Sequence, residues 1–183
     1  ADLAEHLGLT ETEVVTGLDC GAAYNTRSLN SPVNVDDGAT ELGELLGGSP
    51  SMRRMFDLLE SVAGSDANVL IVGESGTGKE LAANALHAKS TRASGPMVKI
   101  NCAALPKDLI ESELFGHVKG AFTGATTDKA GLLEEAHKGS VLLDEITEMP
   151  MDLQVKLLRV LETGTFLRVG TTTPIATDVR IIA

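Results

Sequence analysis

The chain has 183 residues, 43% of them hydrophobic but only 3% aromatic, and a net charge of −11. That suffices for one α/β domain with an aliphatic core plus a small appendage. No apolar run approaches the ~20 residues that span a bilayer, and no signal-peptide pattern opens the chain. Cys20 and Cys102 lie far apart without metal-ligand spacing, so each reads as a buried or inert thiol, and the cytoplasm is the expected compartment. The charge is uneven. Residues 1–47 hold nine acidic residues against the single Arg27, while residues 48–183 hold seventeen against fourteen basic ones. An acidic front end argues against independent DNA binding, which needs phosphate-neutralising Lys and Arg.

In chain order, residues 2–19 suit two short helices around Gly8, with Thr10 and Glu13 placed for a capping box. A helix-turn-helix shape or a plain helical hairpin would both fit. Residues 20–47, rich in Gly, Asn, Ser and Asp, read as a linker. A second unit is expected over 48–183. Ser51 to Val62 puts Met52, Met55, Phe56, Leu59 and Val62 on one helical face.

The stretch ANVLIVGESGTGKEL follows. Val69 to Val72 form an apolar, mostly β-branched run, as in a strand buried on both faces. Gly73, Glu74, Ser75, Gly76, Thr77, Gly78, Lys79 and Glu80 then match G-x-x-x-x-G-K, and a helix-forming segment ends near Ser90. Glycines let backbone N–H groups converge on a phosphate, the helix N-terminus adds positive potential, and Lys79 supplies a point charge. The plainer alternative is a glycine-rich turn; strand, loop, Lys and helix in this order favour the phosphate loop. Glu80 stands where Ser or Thr would offer a hydroxyl to Mg²⁺.

Met97 to Ile100 reads as the next strand, ending at Asn101 and Cys102, and Pro106 opens a helix. A segment punctuated by Gly116, Gly120, Gly124 and Gly131 leads to a short helix at LLEEAHK. The strand after Gly139, Val141 to Ile146, delivers Asp144 and Glu145 at its carboxyl end, where open α/β sheets bind ligands. Asp144 suits Mg²⁺ through water and Glu145 suits polarising the attacking water; a pair of acids capping the next helix is the alternative. Asp152 to Leu161 is amphipathic, and TFLRVGTTTPIATDVRIIA predicts a hairpin and a last strand near Val179. Strands alternating with helices imply a layered, parallel α/β sheet.

GESGTGKE, NCAAL, ESELFGHVKGAFTGA, LLDEI and KLLRVLE occur in this order. Together they resemble the AAA+ domain of the bacterial enhancer-binding activators of sigma-54 RNA polymerase, over about residues 47–183. The resemblance accounts for Glu80, because these activators carry GKE. It implies a phosphate-loop, three-layer parallel sheet, an ATPase using ATP and Mg²⁺, and a ring hexamer. It also implies that Asn101 restrains Glu145 until the γ-phosphate is sensed. The loop Gly120, Ala121, Phe122, Thr123, Gly124 and Ala125 would contact sigma-54, with Phe122 and Thr123 as the contacting pair. From the residues alone, glycines at both ends give this loop hinge freedom, yet a Phe folded back into the core is the favoured reading, because exposed aromatics are uncommon without a partner. Residues 1–47 in turn resemble region 3 and the adjoining linker of stress- or sporulation-type sigma factors of the sigma-70 class.

The chain begins without Met and stops in the apolar run Ile181-Ile182-Ala183, so it reads as a fragment. The sensor Asn, arginine fingers, helical lid and C-terminal DNA-binding domain that the resemblance implies are expected beyond Ala183. The sheet is accordingly expected to be incomplete at its C-terminal end, and the piece alone inactive. Two alternatives differ in class: a non-catalytic nucleotide-dependent interaction module, or a chimera joining a sigma-factor segment to an AAA+ piece. A general phosphate-loop kinase fits neither GKE nor GAFTGA.

Overall fold

A computed structural model describes residues 14–16, 40–42, 45–47 and 49–183. It divides into two compact units, residues 1–91 and 92–183.

In the first unit, strand β1 (Val14–Thr16) runs parallel to β4 (Leu70–Val72), with Val14 opposite Leu70 and Thr16 opposite Val72. A helix is the sequence expectation for these residues. Three consecutive β-branched side chains, which lose rotamer freedom in a helix and not in a strand, account for the difference. The rest of the expected helical pair lies outside the described residues. Strands β2 (Thr40–Leu42) and β3 (Leu45–Gly47) form an antiparallel hairpin where the sequence reads as linker. Helix α1 (Pro50–Ala63) starts where Ser49 Oγ accepts from the Met52 amide at 3.2 Å and Pro50 fills a first-turn position. Phe56, Leu59 and Ala63 are its buried stripe. Helix α2 (Lys79–Ala88) is in contact with α1, and Ala82, Ala83, Ala85 and Leu86 are among its buried residues.

The second unit is built on a three-stranded parallel sheet in the order β5 (Met97–Asn101), β6 (Ser140–Asp144), β9 (Arg180–Ile182). Asn101 sits opposite Asp144, so the register itself brings those two side chains together. Strand β6 is central, and Ser140 to Leu143 are buried, as an uninterrupted apolar run requires. Helix α3 (Lys107–Phe115) contributes Ile110, Leu114 and Phe115 to the core; the four-residue α4 (Leu132–Glu135) contributes Leu133; α5 (Met151–Thr163) contributes Leu153, Leu157 and Val160. Spacings of four and three residues put that last trio on one stripe. The predicted hairpin is present as β7 (Thr165–Leu167) and β8 (Pro174–Ala176), whose Phe166 meets Phe115 with ring centroids 6.0 Å apart.

Asp178, just before β9, ties the sheet's edge together. Its carboxylate accepts from Lys138 Nζ at 2.6 Å and from Arg92 at 2.7 Å, and its carbonyl accepts from the Lys138 amide at 2.7 Å. Hydrogen bonds from Lys138 and then Arg92 hold its pKa at about 2, below the ordinary 3.8. A depressed folded-state pKa contributes stability above roughly pH 4, lost as pH falls towards the folded value. Because the carboxylate is 44% exposed, solvent screening keeps that contribution below about 1 kcal/mol. Asp178→Asn is therefore expected to lower urea midpoints slightly at pH 7 and to leave them unchanged near pH 2. Equal losses at both pH values would assign the effect to packing instead.

Candidate nucleotide site and sigma-contact loop

The two halves of the predicted nucleotide site fall in different units, and each has its own local logic. In the first unit, β4 ends at Val72 and the chain turns through Gly73 to Gly78 before α2 begins. Gly76 and Gly78 have φ of +81° and +84°, a left-handed conformation that L side chains rarely adopt. A Cβ on Gly73 would lie 2.8 Å from Thr77 Oγ1, which is itself held by the Glu74 carbonyl at 2.8 Å. Lys79 folds back over the loop, and its Nζ donates to the carbonyls of Gly73 and Glu74, both at 3.0 Å. The ammonium is thus positioned by backbone rather than by a carboxylate. Glu80 occupies the first turn of α2, where a negative charge favours the helix. Ser75 is exposed at the loop's tip.

In the second unit, the strand stops two residues earlier than its apolar pattern predicts. Asp144 ends β6, and Glu145 adopts φ 52°, ψ 45°, one of two non-glycine residues with positive φ among those described. Such a conformation costs an ordinary residue of order 1 kcal/mol or more. It leaves the Glu145 side chain exposed. Asp144 is held on both oxygens: Oδ1 accepts from the Glu145 amide at 3.1 Å and Oδ2 from Asn101 Nδ2 at 3.2 Å. Asn101 Oδ1 in turn accepts from the amides of Ala103 and Ala104 at 2.9 and 3.1 Å, which fixes its amide's orientation. The amide that the family resemblance assigns to Glu145 thus donates to Asp144, its partner in the strand register. Cys102 is buried beside this pair. Burial, and then the Asp144 charge, push its thiol up to about 11, so it stays protonated and inert at neutral pH.

Mg²⁺ binds through one or two carboxylates, substrate phosphates and retained waters. A single, partly exposed carboxylate with an adjacent acid matches that donor set. No cluster of three or more His, Cys, Asp or Glu side chains capable of caging a metal exists among the described residues. Asp144 fits the shared kind of site and not a closed protein cage.

The predicted contact loop is tied at its base, and at its tip the Ala125 amide donates to the Phe122 carbonyl at 3.0 Å. The amides and carbonyls of His117 and Lys129 exchange both hydrogen bonds, at 3.0 and 2.9 Å, and the Lys119 amide donates to Asp128 Oδ1 at 2.7 Å. Gly120 donates to the Ala125 carbonyl at 2.8 Å, closing the six-residue loop on itself. Gly120 and Gly124 have φ of +84° and +105° with open space around both, so backbone conformation, not packing, calls for glycine there. Ala125 is buried, Ala121 is half-buried, and Thr123 is exposed. Phe122 neither joins the core nor stands fully free: it is 41% exposed, with its ring against His117.

Sequence reasoning missed two features here. Arg168 forms a two-pronged pair with Glu134 at 2.6 and 2.8 Å, holding that carboxylate below its ordinary range. Ser112 Oγ lies 2.7 Å from His117 Nδ1 in a buried contact. The first joins residues with no spacing signal between them; the second is visible only as a polar residue on the α3 face that turns inward. A separate cavity of about 320 Å³, walled by Phe115, Phe166, Lys156 and Arg168 among others, includes none of the predicted site residues.

A parallel sheet with flanking helices, a glycine loop opening a helix under a lysine, and acids at a strand's carboxyl end define the phosphate-loop AAA+ class. Within that class the "Sigma-54 interaction domain" family matches residues 45–183, and the chain belongs to it. DNA-binding transcriptional regulator NtrC of Bradyrhizobium sp. (strain RP501 Parasponia) is 49% identical over 171 residues, 93% of this chain and 35% of that protein. NtrC of Proteus hauseri is 46% identical over 182 residues, 100% of this chain and 37% of its own length. Regulatory protein LuxO of Vibrio vulnificus (strain YJ016) is 52% identical over 145 residues, 79% of this chain and 32% of LuxO. The structure of NtrX from Brucella abortus in complex with ATP superposes with a TM-score of 0.70 at 45% identity, covering 76% of this chain and 29% of NtrX. The chain thus spans about a third of the length of the curated relatives it matches.

Proposed function

We propose that this chain is the ATP-hydrolysing module of a sigma-54-dependent transcription activator, in which nucleotide turnover drives the 120–125 loop against sigma-54 RNA polymerase. The observation that carries the reading is Lys79, oriented by the Gly73 and Glu74 carbonyls over a loop with left-handed glycines at the start of a ten-residue helix. The ATP complex of the related NtrX supports nucleotide as the ligand. Backbone amides of residues 73–78, with Lys79, would cradle the phosphates. Asp144 would hold Mg²⁺, which when bound neutralises charge on the phosphate oxygens. Glu145 is the residue to accept a proton from the attacking water. Asn101 is the restraining partner of this pair, and its amide could pass from Asp144 to Glu145 by rotation of one side chain.

The proposal includes a ring-shaped homo-oligomer in the cytoplasm that acts on the closed promoter complex, a reading supported by the family membership. DNA contact would come through a separate domain. No helix among the described residues is long and apolar enough to cross a membrane. Residues 1–47 are proposed as a segment preceding the domain, a boundary supported by the family match beginning at residue 45. The NtrC of Proteus hauseri aligns through this segment as well, which favours a native segment over a junction between unrelated pieces.

The contact role is tested by capture on immobilised sigma-54 with a transition-state analogue of ATP hydrolysis present. Phe122→Ala is expected to reduce capture at least about tenfold, the loss typical of a buried aromatic anchor at an interface, and Thr123→Ala to reduce it as well, while nucleotide affinity stays within twofold. Undiminished capture by both variants removes the loop from the contact.

A further inference from the structure

We propose that His117 is a positioning residue for the 120–125 loop: its ring, immobilised from behind, is the clasp against which Phe122 is stowed. The geometry rests on bonds within one unit. His117 is 8% exposed, and both of its backbone polar groups are bonded to Lys129 at 3.0 and 2.9 Å, so its main chain cannot swing. Its Nδ1 lies 2.7 Å from Ser112 Oγ on α3, a contact buried from water, which fixes the ring about its side-chain torsions. The Phe122 ring meets this fixed plate edge-on, with centroids 5.0 Å apart and planes at 65°. Edge-to-face contact of this kind is the favoured arrangement of two π-systems. It is the only ring contact of Phe122 among the described residues.

The Phe122 carbonyl accepts from the Ala125 amide at 3.0 Å within the loop's own turn, so it is the ring, not the backbone, that depends on the His117 contact. Gly120 and Gly124, both in the left-handed region, have nothing within 4 Å of an added Cβ, so neither packs against a neighbour. Below them the base is closed, with Val118 donating to the Val169 carbonyl at 3.1 Å and Ala121 donating to Val118 at 3.1 Å. A Cβ added to Gly170 would lie 2.7 Å from the Ala121 Cβ, so the β7–β8 connection presses directly on the loop's shoulder. With the base rigid and the glycines open, the Phe122–His117 contact is what separates a stowed tip from a presented one. An aromatic pair of this type shifts a two-state balance about two- to tenfold. That is large enough to bias the tip and small enough for a partner's binding to overcome it.

The consequence for sigma-54 rests on the contact role proposed above for Phe122; the clasp itself does not. The test therefore has two arms on the 183-residue chain. In the first, aromatic NMR should show cross-relaxation between the His117 and Phe122 rings, and Phe122→Leu should shift the His117 ring protons as the ring current disappears. His117→Asn, which keeps a polar atom for Ser112 but removes the plate, should average the Phe122 signals, and His117→Phe should restore them. Ser112→Ala, a milder change, should loosen the Phe122 ring if the Asn variant does not fold. In the second arm, His117→Asn should raise analogue-independent capture by sigma-54 about two- to tenfold. Identical Phe122 ring relaxation in the wild type and in either folded variant overturns the clasp. If Phe122→Ala captures sigma-54 as well as wild type, the contact role fails instead, and ring relaxation alone decides the clasp.

Discussion

Lys79→Ala is expected to abolish measurable binding of ATP by the chain. The Lys79 ammonium is held by two carbonyls at 3.0 Å and, among the described residues, meets no carboxylate that would compete for it. Each charge-assisted hydrogen bond it would make to a phosphate is worth about 1.5–3 kcal/mol, so losing two weakens binding roughly 10²- to 10⁴-fold. Glycine-loop amides alone cannot compensate, because the remaining attraction is that of partial charges at a helix end. The substitution also frees the Gly73 and Glu74 carbonyls, but both lie in an exposed or half-exposed loop where water replaces the lost donor. Isothermal calorimetry with ATP and Mg²⁺, beside a far-UV circular dichroism control, measures this. An ATP affinity within fivefold of wild type in a folded Lys79→Ala chain would remove Lys79 from the phosphates. Lys79→Arg should recover only part of the affinity, since a planar fork does not reproduce the compact charge that both carbonyls position.

Much of this was legible in the sequence because the signals were local. The run Val69 to Val72, the three loop glycines and the helix formers after Lys79 each dictate their own backbone, and β4, the loop and α2 follow with boundaries shifted by a residue or two. The same holds for α1, α5 and the β7–β8 hairpin, where apolar spacing or turn residues settle the element. What was not legible depends on pairing between distant segments. Val14 to Thr16 form a strand because a parallel neighbour, Leu70 to Val72, satisfies their backbone; helical spacing of the apolar residues carries no hint of it. The Asn101 amide was assigned to Glu145 by resemblance, yet the strand register sets it opposite Asp144. Glu145 itself departs from the predicted strand, since an apolar pattern gives no warning that the chain will turn left-handed at an acidic residue. Phe122 shows the same limit from another side. Glycine spacing exposes the loop, but only the folded position of His117 determines where its aromatic ring rests.

Glu145→Gln is expected to keep nucleotide binding within about threefold and to reduce phosphate release by roughly 10²- to 10⁴-fold, the usual worth of a general base. Binding should survive because the groups proposed to hold the phosphates belong to the 73–80 loop, and because the amide is nearly isosteric with the carboxylate it replaces. Glu145 is exposed, and its backbone amide, not its side chain, donates to Asp144 at 3.1 Å, so the Asp144–Asn101 arrangement is unaffected. Turnover fails because a neutral amide oxygen cannot take the proton that the attacking water must lose. The substitution also separates the two classes of function. A catalytic module predicts steady phosphate release by the assembled wild-type protein and a collapse to the Lys79→Ala background in Glu145→Gln. A nucleotide-dependent interaction module predicts the same near-zero release from all three, with sigma-54 capture following nucleotide occupancy alone. Asp144→Asn adds a further discrimination, since it removes the carboxylate that would hold Mg²⁺ and also alters the partner of Asn101. It should weaken Mg²⁺-dependent binding as well as turnover, whereas Glu145→Gln changes turnover only. Phosphate release by Glu145→Gln within tenfold of wild type would transfer the proton-accepting role to another group and leave the exposed, left-handed Glu145 without a catalytic account.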